Sequence, residues 1–253
     1  MPFTLEDWHT RYLQQARWTE SLRRHIFSAA SPRRAGRILE VGCGTGAVLE
    51  SAAREFPTAQ FVGLDIDIPR LAFARSRGSS CECAGGDALR LPFGGGVFEL
   101  TFCHYFLLWV RDPDQAVREM IRVTRRGGWV AALAEPDYGA RIDYPEALAG
   151  LGGLQRQALR RQGADPDIGR RLAGLLAGAG LTVKEGGVLG SQITSAEEDA
   201  EEADWEWMML KEDIGRELAE EEWRKYREID RAARKSGRRV LFVPTFYAAG
   251  IRE

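Results

Sequence analysis

The sequence predicts an α/β fold: a seven-stranded, mostly parallel sheet with flanking helices and a helical cap. Short apolar runs alternate with stretches of helical period over residues 38–134, the order that a parallel sheet with crossover helices leaves in a chain. A glycine-rich turn, Gly42-Cys43-Gly44-Thr45-Gly46, follows the first apolar run and opens a helix. The 253 residues, 44% hydrophobic and 28% charged, suffice for a sizeable core.

Taken in order, residues 3–30 read as one or two helices, because Leu5, Trp8, Tyr12, Leu13, Trp18, Leu22 and Ile26 recur at helical spacing. Ser31-Pro32 breaks that pattern. Residues 38–41 form a short apolar strand, and after the glycine turn residues 47–56 are helical, with Pro57 as the exit. Residues 60–65 are a second strand, followed by a helix through Leu71, Phe73 and Ala74, and residues 81–84 are a third strand. Residues 98–103 are a fourth strand that ends at His104. Asp112 then caps a helix with Pro113 at its first position, and Gly127-Gly128 stops it. Residues 129–134 are the fifth strand, 145–162 and 168–179 are helical, 181–189 are the sixth strand and 239–247 the last. Residues 195–236 are acidic and mostly helical. Three parts packed as one compact unit follow: an N-terminal helical cap over residues 1–30, a cofactor-binding core over 31–190 and 239–253, and an acidic helical insertion, or lid, over 191–238.

The net charge of −2 provides no basic field for nucleic acid or acidic lipid. No apolar run reaches membrane-spanning length, and Met1-Pro2-Phe3 does not resemble a secretory leader, so a soluble cytoplasmic protein is expected. The four cysteines then do not form a disulfide framework. Cys81 and Cys83 share a strand face, but His9 and His25 are not spaced to complete a metal site, so no metal is expected. The absence of asparagine excludes N-glycosylation and any catalytic step that needs an Asn side chain.

A turn between strand and helix presents backbone N–H groups and the positive end of the helix dipole, and glycines let a ligand approach. Gly42, Gly44 and Ala47 satisfy the dinucleotide pattern G-x-G-x-x-A, which leaves a nicotinamide-dependent oxidoreductase open. Glu40 at the end of the first strand suits a cationic ligand and is awkward beside a pyrophosphate. Asp65 ends the second strand, where it suits ribose hydroxyls, and Asp87 follows the third, where it can accept from an adenine amino group.

Together, Glu40-Val41-Gly42-Cys43-Gly44-Thr45-Gly46, Gly63-Leu64-Asp65, Gly86-Asp87-Ala88-Leu89-Arg90-Leu91-Pro92-Phe93, Phe98-Glu99-Leu100 and Arg125-Arg126-Gly127-Gly128 resemble the class I S-adenosylmethionine-dependent methyltransferases of small-molecule type, with a Rossmann-like core. The resemblance covers about residues 35–135. It implies that Glu40, Gly42, Cys43, Gly44 and Gly46 hold the methionine end of S-adenosyl-L-methionine. It likewise implies that Asp65 with Ile66 holds the ribose, Asp87 with Ala88 the adenine, and that Cys103 and Trp18 complete the cofactor site. The product is S-adenosyl-L-homocysteine.

By the same resemblance, Cys103-His104-Tyr105-Phe106 faces the methyl group. His104 is a candidate general base, or a residue that packs on the cofactor and positions the acceptor. Glu135, Asp137 and Tyr138 follow the fifth strand on the same rim, with Glu135 an alternative base, and Tyr12 joins them from the cap. Leu108-Trp109 replaces the Glu-His of a common family variant, and the Asn/Asp-Pro-Pro-aromatic signature of DNA adenine methyltransferases is missing. The expected partner is a small apolar or aromatic acceptor, O-methylated, with neither nucleic acid nor membrane. A non-catalytic module that senses cofactor or binds a partner remains open beside this reading.

Overall fold

The computed structural model describes residues 3–30, 36–77, 81–190 and 196–253, with the backbone alone for 196–202 and 216. The expected break at Ser31-Pro32 and the start of the insertion at residue 191 lie outside the described residues.

Helix α1 (Leu5–Trp18) opens on a capping box: the Asp7 N–H donates to the Thr4 hydroxyl at 3.2 Å, and the Thr4 N–H to the Asp7 carboxylate at 2.8 Å. It stops at Thr19, and α2 (Glu20–Ala30) follows directly. Strand β1 (Arg37–Val41) leads through the glycine turn into α3 (Ala47–Glu55), and β2 (Gln60–Asp65) leads into α4 (Ile68–Ser76), capped by Asp67. Strands β3 (Glu82–Gly85) and β4 (Phe98–Cys103) follow. Asp112 caps α5 (Pro113–Val123) by accepting from the Gln115 N–H at 2.9 Å.

Strand β5 (Thr124–Pro136) is longer than the expected 129–134, because glycines 127 and 128 are carried inside it. Then come β6 (Ile142–Tyr144), α6 (Gly150–Arg161), α7 (Leu172–Gly178), β7 (Thr182–Leu189), α8 (Ala196–Ile214), α9 (Glu220–Lys235), β8 (Val240–Phe242) and β9 (Thr245–Ile251).

The main sheet has seven strands in the order β3-β2-β1-β4-β5-β9-β7. The first five run parallel, and β9 lies antiparallel between β5 and β7. The last strand, expected as one run over 239–247, is two. Pro244 supplies no N–H to a ladder and restricts the residue before it, so pairing is interrupted there. Val240–Phe242 instead pairs with Ile142–Tyr144 in a separate two-stranded sheet.

Each face of the main sheet carries a core. Leu39, Val41, Val62 and Leu64 pack toward α5 and α7, through Val117, Met120, Leu172 and Leu176. Ile38, Phe61, Leu100 and Phe102 pack toward α2 and α3, through Ile26, Phe27 and Leu49. Helices α6, α8 and α9 form a third cluster around Leu151, Trp207, Ile214 and Trp223. Trp205 on α8 stacks on Phe3 at 6.0 Å between centroids, so the insertion touches the N-terminal cap. Among the described residues no helix is long and apolar enough to cross a membrane.

Candidate cofactor and acceptor site

Because β1, β2, β4 and β5 run parallel, their carboxyl ends share one rim, the place where ligands bind in open α/β sheets. The glycine turn sits there with Gly42, Gly44 and Gly46 all at positive φ, between 52° and 78°. At Gly42 a side chain is excluded twice over: φ is left-handed, and a Cβ would lie 2.1 Å from the Phe106 ring. A Cβ on Gly44 would meet the Tyr12 ring at 3.5 Å, so α1 lies across the turn. Tyr12 accepts from Arg70 at 3.0 Å, and His9 bonds the Thr45 hydroxyl at 3.0 Å.

Asp65 holds this turn from the second strand. One of its oxygens accepts from the Gly44 N–H at 2.7 Å and the other from the Asp67 N–H at 2.9 Å. Cys43 points down into the core, where burial pushes its thiol far up. Asp87 is exposed and caps the turn after β3, accepting from the Leu89 N–H at 2.8 Å. Ala88 is buried beside it, and Ile66 is 72% exposed at the same rim.

Glu40 is the unusual group. It is 2% exposed, and its Oε2 is buried without a hydrogen-bond partner among the described residues. Burial pushes its carboxyl up to about 8, and Asp65 adds to this, while Arg23 and the Leu49 amide oppose it. Arg23 comes from α2 and is fully buried. It donates to the Ala16 carbonyl at 3.0 Å, to the Ser51 hydroxyl at 2.8 Å and to Glu55.

On the other half of the rim, His104 is buried and its Nε2 lies 3.0 Å from the Thr19 hydroxyl. That hydroxyl donates to the Ala16 carbonyl at 3.2 Å, which assigns the imidazole proton to Nε2 and leaves Nδ1 as the acceptor. Burial, with Arg23 adding to it, lowers the His104 pKa to about 3, so the ring is neutral. Tyr105 follows at φ 49°, an uncommon conformation for a bulky residue and one that clusters at functional sites.

Glu135 is completely buried and clasps the segment after β4. It accepts from the N–H groups of Phe106 and Leu107 at 3.0 Å and of Leu108 at 3.2 Å, with the Cys103 thiol 3.9 Å away. Burial still pushes its carboxyl up to about 7 against these bonds. Asp137 is also buried and pairs bidentately with Arg170, one bond measuring 2.7 Å. Tyr138 is pushed up by burial, in a cluster with Asp213, Tyr105, Arg141 and Arg11. Trp18 stands 42% exposed with the Arg11 guanidinium over its ring.

The rim therefore brings together Glu40, the glycine turn, Asp65, Cys103, His104 and Tyr12. Glu135 and Asp137 are on the same rim but bonded to the protein itself. Sequence reasoning missed Arg11, Thr19, Arg23 and Asp213. A signal existed for Arg23, since it lies on the helical face of Ile26 and Phe27, where a charge is out of pattern.

Residues 39–132 match the family model described as a methyltransferase domain. That segment, but not the rest of the chain, belongs to the methyltransferase-domain family. A demethylmenaquinone methyltransferase of Roseiflexus castenholzii is 39% identical over 106 residues, which are 41% of this chain and 44% of that protein. An uncharacterized 37.1 kDa protein in a Streptomyces fradiae transposon is 32% identical over 201 residues, 76% of this chain and 56% of that protein. The chain thus spans about half the length of the curated relatives it matches. The solved structure of the cyclase SpnF superposes with a TM-score of 0.60 at 20% identity, covering 92% of this chain and 80% of that one. At that identity the likeness concerns the fold.

Proposed function

We propose that this protein transfers a methyl group from S-adenosyl-L-methionine to a small aromatic or apolar acceptor. The observation that carries the cofactor assignment is Glu40, a buried carboxylate with one oxygen unpartnered beside a glycine turn. Such a group is costly to ionise alone and is satisfied by a ligand ammonium. The amino-acid end of the cofactor carries one, and a pyrophosphate does not, which is why a nicotinamide dinucleotide fits less well. When bound, the cofactor supplies an electrophilic methyl group on a cationic sulfur.

In this reading Glu40 takes the ammonium, the glycine turn admits the methionine chain, and Asp65 exchanges its bond to the Gly44 N–H for ribose hydroxyls. Asp87, Ala88 and Ile66 receive the adenine. The caps over residues 1–30 and 191–238 exclude water from the transfer, which raises the reactivity of an oxygen nucleophile. His104 positions the acceptor through its Nδ1 and does not act as base, because its neutral ring holds a proton too weakly. The demethylmenaquinone methyltransferase relative supports a quinone-type ring, nucleophilic in its hydroxylated form, as acceptor. In such a ring both the phenolic oxygen and the adjacent carbon are nucleophilic; oxygen is the expected target, and the position of the methyl group in the product decides it.

Calorimetric titration of the full chain with S-adenosylmethionine and S-adenosylhomocysteine tests the core of the proposal. Binding of both, weakened by Glu40→Gln, is expected. A folded protein that takes neither at up to millimolar ligand refutes it.

A further inference from the structure

Arg11 is a second buried arginine, and it has no ion-pair partner among the described residues. It is 8% exposed, its guanidinium lies 4.7 Å from the Trp18 ring centre, and its Nη1 donates to Gln14 at 3.3 Å. Its Nε is buried with no hydrogen-bond partner, and no carboxylate among the described residues forms an ion pair with it. Arg23, by contrast, is paired with Glu55. Buried charges are ordinarily paired, since lost hydration must be replaced. The aromatic face of Trp18 covers one side of the cation and supplies no lone pair in the guanidinium plane.

Arg11 directly precedes Tyr12 on α1, the helix that lies across the glycine turn. Its charge bears on the phenols of Tyr105 and Tyr138, whereas Arg23 bears on Glu40 and His104. The other charged groups around those phenols are engaged. Asp213 accepts from Gln155 at 2.7 Å, Arg141 is paired with Asp143, and Glu135 is bonded to three backbone amides.

We propose that Arg11 is the counter-ion of an anionic acceptor: the molecule to be methylated enters already ionised, as the oxyanion of an acidic phenol or enol, and its negative oxygen pairs with the Arg11 guanidinium. The inference rests on the methyl-transfer reading and names its substrate class. It also removes the need for a protein base. His104 holds a proton weakly and Glu135 is held by three backbone amides, but an acidic acceptor loses its proton to water before it binds. The lone pair of the oxyanion, or of the adjacent ring carbon in conjugation with it, forms the new bond to the methyl carbon. The carbon–sulfur bond breaks with its pair going to sulfur. For oxygen attack no proton moves; for carbon attack the ring proton returns to water as the ring regains its conjugation. Positive sulfur and negative oxygen neutralise each other, which a dry cleft favours.

The test uses the full chain loaded with S-adenosylhomocysteine. The probe is 2-hydroxy-1,4-naphthoquinone, an acidic enol with a coloured anion, and 1,4-naphthoquinone is its neutral counterpart. Wild-type protein is expected to bind the anion about tenfold or more tightly than Arg11→Met does, and to lower the probe's titration midpoint by about one pH unit. The neutral quinone is expected to bind both proteins alike, and Arg11→Lys to keep most of the shift. Arg11→Gln stands in if the methionine variant does not fold, and the midpoint shift is also read on wild type alone. No anion binding by wild type, or equal binding by Arg11→Met, overturns the proposal. Loss of S-adenosylhomocysteine affinity in Arg11→Met with anion binding intact also overturns it, because Arg11 then serves the cofactor's carboxylate. A wild type that takes no S-adenosylhomocysteine defeats the methyl-transfer reading instead, and the probe titration on the unloaded protein still decides Arg11.

Discussion

Glu40 and Glu135 are the next-to-last residues of β1 and β5, both acids, both buried, on one rim of one sheet. Their surroundings differ in what fills their lone pairs. Glu135 accepts three backbone N–H bonds and fastens the segment that carries His104 and Tyr105. Glu40 has an oxygen with no partner among the described residues. Burial raises both carboxyls, to about 7 and about 8, so burial alone does not separate the two roles. The partner count does: an acid with both oxygens bonded to backbone amides is a clasp, and one with an unpartnered oxygen is a receptor in waiting.

The sharpest way to break this comparison is to remove the clasp. Glu135→Ala leaves three amides without an acceptor and is expected to cost about 3–5 kcal/mol in urea denaturation. Were Glu135 instead a base, its removal would abolish turnover with little loss of stability.

Glu40→Gln is expected to do the reverse. Cofactor affinity falls about 10–100-fold, while the ligand-free protein gains about 2–4 °C in Tm at pH 8. The sign follows from proton linkage. The folded state holds the Glu40 proton up to about pH 8, and the unfolded chain releases it near 4.5, so ligand-free stability falls as pH rises between these values. His104, lowered from 6.5 to about 3, contributes the opposite slope, but only below 6.5. Above pH 7 the difference in slope between wild type and Glu40→Gln isolates Glu40, and a Tm difference that does not grow with pH there contradicts its raised pKa.

The smallest effect is expected at Asp137→Asn. Its partner Arg170 is about half exposed, so the loss is about 1 kcal/mol with cofactor affinity unchanged. A measurable fall in affinity would move Asp137 from the clasp side of the comparison to the receptor side.

Much of this was legible in the chain. The glycine turn, the Asp112 cap with Pro113, and the alternation of strand and helix follow from local rules of backbone geometry, and the structure has all three. Pro244 also carried a local signal, and it splits the last strand as a residue without an N–H must. Strand β6 carried none, because three residues with a partner about a hundred positions away have no period to detect.

What the sequence determined by itself is which backbone turns are possible and which strand ends carry acids, since both depend on residues adjacent in the chain. What only the tertiary structure decided is the state of each acid and each arginine. Glu135 is bonded to amides nearly thirty positions earlier, Glu40 is left wanting, and Arg11 is buried over Trp18 with no carboxylate paired to it among the described residues. Hydration and lone-pair occupancy depend on every group within a few ångströms, and chain order does not list those neighbours.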